Sequence, residues 1–118
     1  MGFSLAAPDS REKRDTDSST RLRALTSAAD LDAVVRESYE RPVLVLVHSR
    51  DCGLSHLALA HLREHAKRSS GSVSYVVTVQ MHRELCVTLA RGLALRHQTP
   101  QAILLHDGKA VWATFDLR

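Results

Sequence analysis

The sequence VLVLVHSRDCGLS at residues 43–55 passes from a buried strand to a helix within a few positions. Its first five residues are all apolar and rich in valine. This is typical of a strand covered on both faces, as in a parallel sheet with helices on either side. A helix is predicted to follow from about Cys52 to Lys67. Its apolar face is predicted to comprise Leu54, Ala58, Leu62 and Ala66. Cys52 is therefore placed where a buried strand ends and a helix begins.

Alternating strands and helices are predicted on both sides of this stretch. They are a strand at residues 21–25, a helix from an N-cap at Thr26 or Ser27 to before Pro42, a strand at 73–79, a helix at 82–93, and strands at 102–105 and 110–114. Helices between strands favour parallel neighbours. Asp107-Gly108 is a two-residue link that favours a hairpin, because both positions of such a turn need positive φ. The order β-α-β-α-β-α-β-β predicts an α/β sheet with an antiparallel edge.

The length of 118 residues suits one domain. Residues 1–20 are polar and charged without an apolar period, which predicts a flexible N-terminal tail. Residues 21–118 are predicted to form the folded domain. The hydrophobic content of 44% and the charged content of 25% over the whole chain are ordinary for a globular protein.

The charge pattern and the number of cysteines limit which kinds of partner and which cellular compartment we expect. The formal net charge is +3, a modest surplus that favours an anionic small ligand. No basic run indicates nucleic-acid binding. Neither a signal peptide nor an apolar stretch near 18 residues is visible, so no membrane is expected as a partner. Two cysteines do not make a secreted disulfide framework, and we expect a reducing cytoplasm.

Cys52 is the candidate nucleophile. The unpaired N–H groups and the dipole at a helix N-terminus stabilise a thiolate. Arg50 and His48 favour the thiolate electrostatically, while Asp51 opposes them. The C-x-x-S spacing places Ser55 one turn along the helix, where its hydroxyl is expected to donate to the sulfur. The alternative is that Cys52 is only a small packed residue, as free cysteines often are.

A second candidate segment is Thr99-Pro100-Gln101, directly before a predicted strand. Proline is tolerated at the start of a strand, because its missing N–H need not join the ladder. The sequence alone leaves the cis or trans isomer of Pro100 open. His97, two residues before Thr99, either lies near the thiol, where an imidazole titrates close to physiological pH, or holds the loop by a hydrogen bond.

Cys86 has two interpretations. It is either a resolving thiol for Cys52 or a core residue, and its helical spacing with Leu85 and Leu89 favours the core. Buried structural cysteines are usually inert.

His61-Leu62-Arg63-Glu64-His65 matches the H-x-x-E-H pattern of zinc hydrolases. A zinc site needs a third protein ligand, and none is apparent. We expect His61 and His65 to lie on a solvated helix face and predict no metal site.

The order of these features resembles the thioredoxin superfamily and, more narrowly, the monothiol bacilliredoxins, small general-stress proteins of bacteria that make bacillithiol. The matching segments are LTS at 25–27, RPVL at 41–44, HSRDCGLS at 48–55, RHQTPQ at 96–101 and DGK at 107–109. Together they cover roughly residues 22–113. The resemblance implies that the folded domain at residues 21–118 is thioredoxin-like, with a central mixed sheet flanked by helices. The family's closing C-terminal helix is expected to be absent, since residues 113–118 stand in its place.

The resemblance also implies roles for individual residues. Cys52 is expected to be the single nucleophile and Pro100 to be cis. The Thr99 backbone is expected to pair with a bound substrate, with His97 and Arg50 as further substrate-binding residues. The family usually has a proline after the cysteine, where this sequence has Gly53.

The leading hypothesis is monothiol exchange, in which Cys52 removes a low-molecular-weight thiol, bacillithiol by the resemblance, from mixed disulfides on client proteins. No cofactor is expected beyond this co-substrate. With Ser55 in place of a second cysteine, a thiol from outside the site has to release Cys52. The alternatives are a non-catalytic thioredoxin-like binding or redox-sensing module, because one fold hosts many functions, and a reductase that uses Cys52 with Cys86. The oligomeric state stays open.

Overall fold

The predicted order of strands and helices is confirmed in a computed structural model that describes residues 22–68, 73–96 and 98–114. The elements are β1 (Leu22–Ala24), α1 (Ala28–Glu37), β2 (Val43–His48), α2 (Gly53–Arg68), β3 (Val73–Thr78), α3 (Arg83–Gly92), β4 (Gln101–His106) and β5 (Lys109–Thr114). The predicted tail at 1–20 lies outside the described residues. So do 115–118, where the absence of a closing helix was expected.

The five strands form one mixed sheet in the order β1-β3-β2-β4-β5. β1, β3 and β2 are parallel, whereas β4 is antiparallel to β2 and β5 to β4. The prediction of parallel neighbours across each helix is confirmed for β2 and β3. It is wrong for β1 and β2, which run parallel but are separated by β3, and for β3 and β4, which are not paired. The physical reason for β4 is that it begins beside the end of β2, with Gln101 opposite Val47, and has to run back along it.

Helices cover both faces of the sheet. α1 and α3 pack on one face, in a cluster that includes Val34, Val45, Val77, Cys86 and Leu89. α2 packs on the other face, in a smaller cluster of Leu22, Leu46, Ala58, Ala66 and Val76. This double burial explains why residues 43–47 are all apolar, as predicted.

The predicted apolar face of α2 needs one correction. Ala58 and Ala66 are buried and Leu62 is partly buried, but Leu54 is 47% exposed. In the first turn of the helix the buried position belongs to Ser55 instead, which is fully buried.

Local signals fixed the ends of several elements. Ser27 caps α1 and its side chain accepts a hydrogen bond from the Asp30 N–H at 3.1 Å, as expected for an N-cap serine. Asp107 and Gly108 have φ values of 54° and 75°, so the predicted hairpin turn is confirmed. The backbone N–H of Gly108 donates to the buried Ser38 hydroxyl at 2.9 Å, which joins this turn to the end of α1.

Candidate active site

Three loops meet at one edge of the sheet. β2 and β3 are parallel with His48 opposite Thr78, so the chain leaves both strands at this edge. β4 runs the other way and enters the sheet here, because Gln101 pairs with Val47. The sheet therefore brings together residues 49–52, 79–82 and 98–100. Cys52 and Thr99-Pro100, which lie far apart in sequence, share this edge as the predictions required.

Cys52 lies immediately before the first residue of α2. Its carbonyl accepts hydrogen bonds from the backbone N–H groups of Ser55 at 3.1 Å and His56 at 3.2 Å. It is therefore the residue that opens the helix. The thiol is free and partly buried. A thiolate here lies at the positive end of the dipole of a 16-residue helix.

The structure gives the Ser55 hydroxyl partners other than the cysteine sulfur to which it was expected to donate. The Ser55 hydroxyl lies 2.8 Å from Nδ1 of His48 and accepts a hydrogen bond from the Ser49 N–H at 2.9 Å. The buried imidazole and the Ser49 N–H, and not Cys52, are the partners that the structure gives the Ser55 hydroxyl. A catalytic role for Ser55 stays a prediction, and what the structure assigns to it is a link between β2 and α2.

His48 is a buried imidazole beneath the active-site loop, with 4% of its surface exposed. Burial lowers the pKa of His48 below its ordinary value, and nearby positive charge on His56 acts in the same direction. The two rings meet edge to face with centroids 4.9 Å apart. His56 Nε2 in turn donates to the Arg50 carbonyl at 2.7 Å, since a carbonyl can only accept. The histidines thus connect the buried end of β2 to the exposed loop.

The Arg50 side chain is exposed and its Nη2 lies 3.0 Å from the Met81 sulfur. Its guanidinium therefore extends toward the loop that follows β3. The use of Arg50 in substrate binding stays a prediction.

Gln80 is a site residue that the sequence analysis missed. It accepts from the Arg50 N–H at 3.0 Å, and its amide nitrogen lies 2.9 Å from the Ser49 hydroxyl and 3.4 Å from the Asp51 carboxylate. The available signal was its position directly after β3, because parallel neighbouring strands end at the same edge.

The Thr99-Pro100 peptide bond is cis, which confirms the isomer that the resemblance implied. Pro100 is buried and Thr99 is exposed, at the same end of the sheet as the loop of Cys52. Pairing of Thr99 with a substrate stays a prediction. His97 lies outside the described residues, so its two interpretations remain as they were.

Cys86 is a core residue. It is 1% exposed and packs in the cluster on the α1 and α3 face of the sheet, whereas Cys52 begins α2, which packs on the opposite face. Burial raises the pKa of the Cys86 thiol. The two cysteines are not bonded to each other. The core interpretation is confirmed.

The two histidines of the zinc-like pattern, His61 and His65, are both exposed on α2. Within residues 22–68, 73–96 and 98–114, no three metal-ligating side chains come together. His61 and His65 line an apolar groove with Leu62 and Trp112. Glu64 lies within 3.7 Å of Lys67 and Arg68, in exposed ion pairs that contribute little to stability.

The parallel βαβ unit, the cysteine at a helix N-terminus and the neighbouring cis-proline define a thioredoxin-like thiol–disulfide redox protein. The family model described as monothiol bacilliredoxin BrxC matches residues 23–116. The chain belongs to this family, as its sequence resemblance indicated. No helix in the described part of the chain is long and apolar enough to cross a membrane.

Solved structures agree on the fold. A proposed oxidoreductase with a thioredoxin fold is 28% identical with a TM-score of 0.70, over 79% of this chain and 80% of that one. Thioredoxin from Fasciola hepatica is 23% identical with a TM-score of 0.67, over 78% and 84% of the two chains. A thioredoxin variant from Halobacterium salinarum is 19% identical with a TM-score of 0.66, over 87% and 84%. No curated protein matches the chain.

Proposed function

We propose that this protein removes bacillithiol from client proteins by monothiol exchange at Cys52. The observation that carries the proposal is the contrast between the two cysteines. Cys52 is partly exposed at a helix N-terminus, whereas Cys86 is buried in the core. A single accessible thiol supports exchange with an external partner and not an internal disulfide.

The exchange begins at a mixed disulfide between a client cysteine and the small thiol. The Cys52 thiolate attacks the sulfur of the small thiol, a new disulfide forms, and the client thiolate leaves and takes up a proton. A second thiol from solution then attacks the disulfide on Cys52 and releases it as a thiolate. Each step breaks one disulfide and forms another, so no external oxidant is needed.

The surrounding loops support this chemistry. The exposed residue Thr99 is suited to pair through its backbone with a client segment, and the exposed Arg50 guanidinium is suited to meet an anionic small thiol. Ser55 holds the loop through His48 and Ser49, so it supports the nucleophile without supplying a second one. We place the activity in the bacterial cytoplasm under oxidative stress, where such mixed disulfides accumulate.

The test is release of a client thiol from clients that carry bacillithiol, glutathione or cysteine as the mixed disulfide. We expect the bacillithiol adduct to react fastest, Cys52→Ser to release nothing above background, and Cys86→Ala to match the wild type. Equal rates on the three adducts would remove bacillithiol from the proposal. Equal rates for wild type and Cys52→Ser would favour a non-catalytic module.

A further inference from the structure

The side chain of Gln80 forms one hydrogen bond to each of the three residues before Cys52. Its oxygen accepts from the Arg50 N–H at 3.0 Å, and its nitrogen faces the Ser49 hydroxyl at 2.9 Å and the Asp51 carboxylate at 3.4 Å. The oxygen accepts one hydrogen bond and the two N–H groups donate one each, so both donors of the amide are used on this loop.

The orientation of this amide follows from its partners. The Arg50 backbone N–H can only donate, and an ionised carboxylate can only accept. The oxygen must therefore face Arg50 and the nitrogen must face Asp51. No other uncharged side chain of this length offers the same set of contacts.

These contacts act on the loop and contribute little to global stability, because Gln80 itself is exposed. They join the turn after β3 to residues that are about thirty positions away in sequence. They also direct the carboxylate of Asp51, the neighbour of the cysteine, toward Gln80. A carboxylate near a thiol opposes formation of the thiolate, so its placement affects the reaction.

We infer that Gln80 is a positioning residue for the reaction of Cys52: it fixes the 49–51 loop and holds the Asp51 carboxylate in place, and so sets how readily the thiolate forms. The role of Gln80 in thiol exchange rests on the proposed function. Three charged or titratable groups bear on this inference. Arg50 and Asp51 belong to the loop, and His56 reaches it from α2.

The decisive variant is Gln80→Glu, because it keeps the shape and the acceptor for Arg50, removes both donors and sets a second carboxylate against Asp51. The readout is the rate of iodoacetamide alkylation of Cys52 from pH 5 to 10 in the full chain. We expect its midpoint to move upward by about half a unit, which corresponds to a roughly threefold slower reaction at neutral pH. The rate should recover at high pH. Thr88→Glu adds the same charge on the exposed face of α3 and should leave the profile unchanged.

Two further variants separate charge from structure. Asp51→Asn combined with Gln80→Glu should return the midpoint to that of Asp51→Asn alone, because the repulsion acts between the two carboxylates. Gln80→Met removes the contacts without adding charge. It should slow the release of a client thiol several-fold more than it slows alkylation of Cys52 by iodoacetamide.

An unchanged profile in Gln80→Glu would overturn the inference, as would an equal shift in Thr88→Glu. Alkylation needs no client, so the outcome is independent of the exchange assay. If the wild type releases no client thiol while Gln80→Glu shifts the profile, the proposed function fails and the positioning of the thiolate stands. If exchange is intact and none of the Gln80 variants differs from wild type, only the inference fails.

Discussion

The Ser55 hydroxyl lies 2.8 Å from Nδ1 of His48, and both side chains are buried. The same oxygen accepts a hydrogen bond from the Ser49 N–H. One small side chain thus joins the last residue of β2, the loop and the first turn of α2. The serine of the C-x-x-S sequence therefore holds together the two segments that flank Cys52.

Removal of this hydroxyl should destabilise the fold. We expect Ser55→Ala to lower the free energy of unfolding by about 1–3 kcal/mol, because two buried polar groups lose their partner. Urea unfolding measures the change. Thr88→Ala, at an exposed site of α3, serves as control and should change it by less than about 0.5 kcal/mol. A Ser55→Ala variant as stable as the control would show that these hydrogen bonds contribute nothing net.

The buried imidazole predicts a dependence of stability on pH. Because the pKa of His48 is lowered in the folded state, the unfolded chain takes up the proton first as the pH falls through about 6.5. The His48 contribution is therefore fully present above that pH and is lost toward the lower folded-state pKa. His48→Asn puts a side-chain amide that does not titrate in place of the imidazole. It should remove up to about 1.4 kcal/mol per pH unit of this slope. Urea unfolding at several pH values measures it.

The matched control for that slope is His61→Asn, since the His61 side chain is exposed on α2. Its slope should follow the wild type. Equal slopes in the wild type and His48→Asn would mean that burial of His48 does not couple protonation to folding.

Gly53 occupies the first position of α2, where proline is favoured. A Cβ built there meets no atom within 4 Å, so a side chain fits. We expect Gly53→Pro to raise the free energy of unfolding by about 0.4–1 kcal/mol, because it restricts the unfolded chain. Gly92→Pro, in the last turn of α3, should lower it by about 3 kcal/mol. A lower melting temperature for Gly53→Pro would indicate that the loop needs the freedom of glycine.

The position of Cys86 predicts a difference between native and unfolded labelling. Iodoacetamide should modify Cys52 alone in the native protein and both cysteines in urea, because Cys86 is buried with a raised thiol pKa. Peptide mapping after labelling measures this. Cys86→Ser should cost about 1–3 kcal/mol by burying a hydroxyl in the core. Native labelling of Cys86 at a rate near that of Cys52 would contradict the assigned core position.

The sequence predicted what is decided locally. The apolar run at 43–47 indicated a doubly covered strand, and Asp107-Gly108 indicated its turn, because each depends on neighbouring residues alone. The direction of β4 was not predictable from the helix before it, since the side of β2 on which it pairs is a tertiary choice. The partner of Ser55 was missed because C-x-x-S spacing points to the cysteine, whereas the fold places a buried histidine within hydrogen-bond distance.

Gln80 was missed for a related reason. A lone glutamine after a strand has no motif, and its contacts exist only because β2 and β3 end side by side. The candidate site was therefore predictable in its cysteine and its cis-proline, which the family pattern supplies. It was not predictable in the hydrogen bonds that hold the loop.

The most direct test of the account is the mass of the intact protein after incubation with a bacillithiol-modified client and no other thiol. We expect one bacillithiol adduct per chain, mapped to Cys52, that persists until a free thiol is added. The adduct should form equally in Cys86→Ala. A chain that stays unmodified while the client keeps its adduct, or a wild type that ends with a disulfide between Cys52 and Cys86, would contradict the single-thiol mechanism.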